Sequence, residues 1–202
     1  MMKMTKRTSL VGMLLAASGF GLMAQQTEGF KAGVALPYQL DSVRKYTHQS
    51  LMGLSVDGAY QGSIYGGAAY YRGGLGVNWL PGKTQNDVKI SLTSIQVYGD
   101  FVVPVGSSKR FAVITGISAN NWSKSVSVPD GNGDSGGVKN SFGKLGVRAG
   151  LEYSFNSRLA VSALLQVTEL GTDSEFVKGA DKTMGSDKVN PSWIQIGVHY
   201  SF

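Results

Sequence analysis

From about residue 29 onward, apolar residues alternate with polar or small ones at a period of two. Stretches rich in Gly, Asn, Asp and Ser interrupt the alternation at intervals. A period of two places successive side chains on opposite faces of an extended strand. The clearest segment is 142–155, where Leu145, Val147, Ala149, Leu151, Tyr153 and Phe155 share one face. Lys144, Gly146, Arg148, Gly150, Glu152 and Ser154 share the other. Only Asn156 and Ser157 separate it from the next segment, 158–170, so the pair predicts a tight hairpin. In 192–202, Ile194, Ile196, Val198, Tyr200 and Phe202 alternate with Trp193, Gln195, Gly197, His199 and Ser201. Further strands are predicted at 29–36, 51–60, 68–80, 88–105 and 110–128. In 88–105, Ile90 and Leu92 are out of phase with Ile95, Val97, Phe101, Val103 and Val105. That break predicts a bulge near Thr93, or a strand leaving an apolar layer there.

Eight strands and no helical periodicity predict an all-β fold. The joins at 61–67, 106–109 and 156–157 are short, those at 37–50, 129–141 and 171–191 are long and polar, and 81–87 is intermediate. An even strand count with alternating loop lengths predicts an eight-stranded antiparallel up-and-down transmembrane β-barrel. A strand of about 11 residues at ~3.3 Å per residue, tilted ~40°, covers roughly 28 Å, enough for an apolar membrane band. A secreted β-sandwich or a lipocalin-like soluble barrel would also alternate in this way. There the apolar face would point into the core, and the pattern alone leaves open which face meets water.

The N-terminal segment and the last strand bear on that choice. Lys3, Lys6 and Arg7 precede an apolar run over 10–23, and Ala24 follows as a small residue. This order of regions predicts a secretory signal peptide over 1–24, cleaved before Gln25, and a barrel domain over 25–202. A strand that ends on an aromatic residue would leave a greasy edge in water. The last strand resembles the C-terminal assembly signal of bacterial outer-membrane barrels, a polar residue, a Gly two on, and aromatics third-last and last: Gln195, Gly197, Tyr200 and Phe202. With eight strands, the chain resembles the small outer-membrane barrels of the OmpA/OmpX type. The resemblance implies export to the outer membrane of a Gram-negative envelope. It also implies periplasmic chaperones, the outer-membrane assembly machinery, membrane lipid and lipopolysaccharide as partners, and a monomeric chain.

Charge adds little. Three of the 19 basic residues and none of the 13 acidic ones lie in the leader, so the net charge falls from +6 to +3 without it. Nucleic acid is therefore not an expected partner. No disulfide can form, because the chain has no Cys.

The inward face of such a barrel is just wide enough to be filled by side chains. It is expected to carry a network of paired charges made of Asp57, Arg72, Asp100, Lys144, Arg148 and Glu152. Unpaired charge there would be costly. Tyr60, Tyr71, Trp79, Trp122, Tyr153, Phe155, Tyr200 and Phe202 are expected to form aromatic girdles at the two interfaces.

Candidate chemistry is sparse. His199 and Ser201 share a strand face and His48 lies in a long loop, but no Gly-x-Ser-x-Gly elbow accompanies them. The loop 130–137 spaces oxygen ligands as a calcium loop does, yet has Ser135 where Gly is needed and Ser141 where an acid is needed. No metal, cofactor or catalytic residue is expected, and the chain is read as a non-enzyme. The resemblance implies a structural or surface-interaction role, in adhesion or envelope integrity, carried by the long loops. A narrow porin-like channel is the alternative, and a lipid A-modifying barrel enzyme a more remote one.

Overall fold

The computed structural model describes residues 26–40, 52–82, 84–85, 88–129, 135–170 and 192–202. The expected leader and most of the loops at 37–50 and 171–191 lie outside the described residues, as do His48 and positions 130–134. Eight long strands form the wall: β1 Gly29–Gln39, β2 Leu54–Ile64, β3 Ala69–Leu80, β4 Val88–Val105, β5 Phe111–Pro129, β6 Ser135–Ser154, β7 Leu159–Leu170 and β8 Trp193–Ser201. A two-residue strand, Thr84–Gln85, folds back on the start of β4.

Each strand pairs antiparallel with its neighbours in sequence, and β1 pairs with β8 from Lys31↔Ser201 to Gln39↔Trp193. The β3–β4 ladder, from Tyr70↔Val102 to Leu80↔Leu92, completes the ring. The fold is a closed eight-stranded up-and-down barrel, so its wall has no free edge.

Short turns gather at one end. At Tyr65-Gly66-Gly67 all three residues have positive φ (51°, 63° and 86°), which two glycines make possible. At the other end β4, β5 and β6 run to 18, 19 and 20 residues. The β5–β6 ladder continues to Pro129↔Ser135, whereas the β6–β7 ladder stops at Leu145↔Leu170. Most of the expected 129–141 loop is therefore strand. Within the calcium-like stretch, Ser135 to Gly137 belong to β6.

Thr93 holds no bulge. Trp79↔Thr93 and Thr93↔Ser123 lie in unbroken ladders. Leu92 breaks the apolar phase because it points inward and is fully buried. The register shift lies instead between Leu145 and Val147, against β7.

The faces are divided as in a membrane barrel. Phe30, Leu75, Ile95, Ile117, Leu151 and Ile196 all point outward and are exposed, Ile117 to 70%. On β3 the outward set runs from Tyr71 to Trp79, roughly 20 Å of wall height at ~3.3 Å per residue and ~40° tilt. The interior is mainly polar, and Tyr70, Val102, Ala112, Ile114 and Leu164 form an apolar cluster within it.

Candidate functional site: the lumen

Inward positions on every strand converge on a packed, hydrogen-bonded lumen. Its central feature is a chain of charged and polar groups crossing the barrel. Arg148 on β6 meets Asp100 on β4, Nε to Oδ1 at 3.0 Å. The Arg148 guanidinium lies over the Tyr98 ring, 3.8 Å from its centroid. The Tyr98 hydroxyl donates to Asp57 Oδ2. Asp57 Oδ1 is 3.6 Å from His199 Nε2, and His199 Nδ1 is 3.8 Å from Glu152 Oε2. Glu152 pairs with Arg72, whose Nη2 is 2.9 Å from both carboxylate oxygens. Arg72 also donates to Gln61 Oε1, from Nε at 2.9 Å and Nη2 at 2.8 Å. The charge-assisted bonds of Arg72 offset the cost of burying that pair, whereas Arg148 and Asp100 meet as an ion pair without a hydrogen bond.

The structure thus brings Asp57, Arg72, Asp100, Arg148 and Glu152 into one chain of contacts. Lys144 is buried on the same face of β6, one layer toward the long-loop end, opposite Asn120. Tyr98, His199 and Gln61 were absent from the expected network. Their strand parity carried the signal, since Tyr98 shares a face with Asp100 and His199 with Gln195. Gly33 sits where a Cβ would run into Asp57 and His199, so its lack of a side chain makes room for that pair.

Toward the long loops, Gln166 Nε2 donates to Gln96 Oε1 at 3.1 Å, Ser118 Oγ at 3.0 Å and Asn120 Oδ1 at 3.1 Å. Ser55, Asn78 and Ser94 form a second relay, with bonds of 2.7 and 3.0 Å. Above these lies an apolar cap. Trp122 and Trp193 meet edge to face with centroids 5.4 Å apart, and Leu80 and Leu92 are equally buried. Trp122 is therefore not a girdle residue. It stands at an even position of β5, on the face opposite Phe111 and Val113, and points into the barrel. Its partner Trp193 donates Nε1 to Gln195 Oε1 at 3.0 Å.

The other expected girdle residues face outward or sit at the rim. Tyr60 contacts Phe30 and Tyr71, and Tyr153 contacts Phe111 and Phe155. Of the last-strand positions, Gln195 and Gly197 face inward, while Tyr200 and Phe202 face outward with ring centroids 5.3 Å apart. Arg158 Nη1 reaches the Tyr200 hydroxyl at 3.4 Å, and the Phe202 amide donates to the Phe30 carbonyl at 3.0 Å.

Ser162 Oγ lies 3.5 Å from His199 Nδ1, so a serine, a histidine and an acid are neighbours. Both side chains are enclosed by the wall, with Ser162 on β7 and His199 on β8. Among the described residues, no group of three His, Asp or Glu side chains is arranged to hold a metal ion.

No family model matches the chain, and no curated protein matches it. Solved structures do. Neisserial surface protein A is 16% identical, with a TM-score of 0.54 over 86% of this chain and 96% of its own. The attachment invasion locus protein Ail of Yersinia pestis is 12% identical, with a TM-score of 0.54 over 87% of this chain and all of its own. A major outer membrane protein from Thermus thermophilus is 14% identical, with a TM-score of 0.51 over 88% of this chain and all of its own. At such identities the likeness is one of fold, and the chain has the eight-stranded barrel fold of these outer-membrane proteins.

Proposed function

We propose that the chain is an integral outer-membrane barrel with a structural or surface-interaction role, in adhesion or envelope integrity. The observation that carries this reading is the division of its faces. Large apolar side chains cover the outside of a closed wall, while paired ions and amides fill the inside. In water that outer surface would be an aggregation surface, far beyond the apolar patch of an ordinary soluble monomer. In a bilayer it is the expected surface of a barrel. The aromatic pair Tyr200 and Phe202, with Gln195 and Gly197, is the segment offered to the assembly machinery after export and leader removal. Lipid covers the wall of a monomer, and lipopolysaccharide surrounds its long-loop end.

The interaction surface is the arm formed where β4, β5 and β6 rise beyond their neighbours. The β6–β7 ladder ends at Leu145↔Leu170, while β6 itself begins at Ser135 and stays paired with β5. Of the similar folds, one is named a surface protein and another an attachment invasion locus protein.

A channel reading is less well supported, because the apolar cap and the side-chain chain leave the lumen filled. No reaction is assigned, since a substrate would have to enter that lumen to reach Ser162 and His199. The first test is mobility on SDS gels of protein from an isolated outer-membrane fraction. The expected result is a compact, faster band that shifts on boiling. An unshifted band from protein in the soluble periplasm would overturn the membrane reading. In planar bilayers the protein is expected to show no steady conductance, and discrete openings would favour the channel. Cells bearing the intact chain should adhere to protein-coated surfaces better than cells whose chain lacks 126–138. Equal adhesion would remove the arm from the proposal.

A further inference from the structure

Residues 26–28 stand apart from the barrel wall. The β1 ladder begins at Gly29, opposite Gln61. Gly29 has φ +125°, a conformation that residues with side chains rarely adopt. There the chain leaves the wall and turns into the mouth at the short-turn end. Gln26 is buried in that mouth, and its contacts span it. Its amide nitrogen donates to Glu152 Oε1 at 2.9 Å and Ser154 Oγ at 3.1 Å, both on β6. Its amide oxygen accepts from Gln61 Nε2 on β2 at 3.1 Å, and its carbonyl accepts from the Tyr70 hydroxyl on β3 at 3.0 Å. In an eight-membered ring β2 and β6 lie on opposite sides, so one residue bridges facing walls. Thr27 adds a bond from its hydroxyl to the Ser157 carbonyl at 3.1 Å, and its own carbonyl accepts from Gln61 Nε2 at 2.9 Å.

We propose that residues 26–28 form a latch, a hinged segment that closes the short-turn mouth of the lumen and can be withdrawn while the wall stays intact. All these bonds involve a side chain, and none belongs to a strand ladder. When the latch leaves, the freed amides and hydroxyls lie at an open mouth, where water replaces it. The ladders that hold the barrel closed do not depend on it. Toward the opposite end the filling side chains belong to wall strands: Trp122 and Trp193 meet edge to face, Leu80 pairs with Leu92, and all four are fully buried. Arg72 and Glu152 lie in the layer next to the latch, in contact with Gln61 and Gln26. Glu152 couples the two, since its Oε1 accepts from both Gln26 and Arg72. The inference needs the closed barrel but no particular surface role, so adhesion and latch stand or fall separately.

The absence of Cys from the chain makes a single introduced thiol an unambiguous reporter. Ser154→Cys, beneath Gln26, would be reacted with a small water-soluble methanethiosulfonate in the folded, micelle-held protein. The same reporter would be read in chains also carrying Gln26→Gly or lacking 26–28. Modification at least tenfold faster in both, with the heat-shifted band retained, is the expected result. Equal rates would overturn the latch. Loss of the folded band would overturn it too, because the segment would then be part of the wall. On the unmodified protein, aminopeptidase digestion followed by mass spectrometry should leave Gln26 in place. Trimming to Gly29 as fast as in the denatured chain would contradict the proposal.

Discussion

Ile117→Arg is expected to destabilise the barrel in lipid vesicles by about 2–4 kcal/mol, the range for a cation on the lipid face at mid-depth. Ile117 points outward from the part of β5 that pairs with both β4 and β6, and it is 70% exposed. The direction of the effect makes this substitution decisive. On a soluble barrel an exposed Ile is free to become Arg, with a change within about 0.5 kcal/mol and better solubility. In a bilayer the guanidinium must be drawn into hydrocarbon or snorkel along the wall, and both weaken the folded state. Urea titration in vesicles, followed by tryptophan fluorescence and by the unboiled gel band, measures the loss. Ile117→Ala supplies the apolar control and should cost less than the Arg variant. An Arg variant as stable as the parent would mean that water, not lipid, covers this face.

The second large effect is expected inside. Glu152→Ala should cost about 3–5 kcal/mol, because it leaves Arg72 buried without its carboxylate. Gln26 loses an acceptor in the same change, and His199 loses a nearby anion. Arg72→Ala should be damaging for the reciprocal reason. The double variant should be less damaged than the sum of the two, since removing both charges leaves neither unpaired. Equilibrium unfolding of the four proteins in one lipid closes the cycle. Additive losses would mean that lumen water already screens the pair, and the packed interior would then be the wrong description.

Much of this was legible in the chain because a barrel wall is a repetitive object. Strict alternation in 145–155 sorts Arg148 and Glu152 from Leu151 and Tyr153 with no further information, and the last strand sorts Gln195 from Tyr200 in the same way. The failures also have a common form. Leu92 and Trp122 are apolar residues at inward positions, where composition argued for the outside and parity argued for the inside. Parity prevailed, because a slip of one residue would turn every side chain of the strand over. Of the arm, 135–141 was read as loop because its Ser, Gly, Lys and Asn have the composition of one, and the ladder between β5 and β6 overrides it.

By itself the sequence determined the period of two, the number of strands, the positions of the short turns and which residues share a face. These are local properties, set by backbone geometry and by where Gly, Asn and Ser allow a turn. The alternation alone left undecided which of the two faces is enclosed, because it is symmetric to exchange of inside and outside; the expectation of a polar lumen came from the leader and the resemblance of the last strand. The tertiary structure decided that by closing β1 on β8 and β3 on β4, which traps one face and exposes the other. Only the closed ring could bring Arg72 of β3 to Glu152 of β6, or carry Gln26 across to both β2 and β6. Those contacts join residues distant in sequence, and which of them meet depends on the stagger of the whole ring, which no single strand encodes.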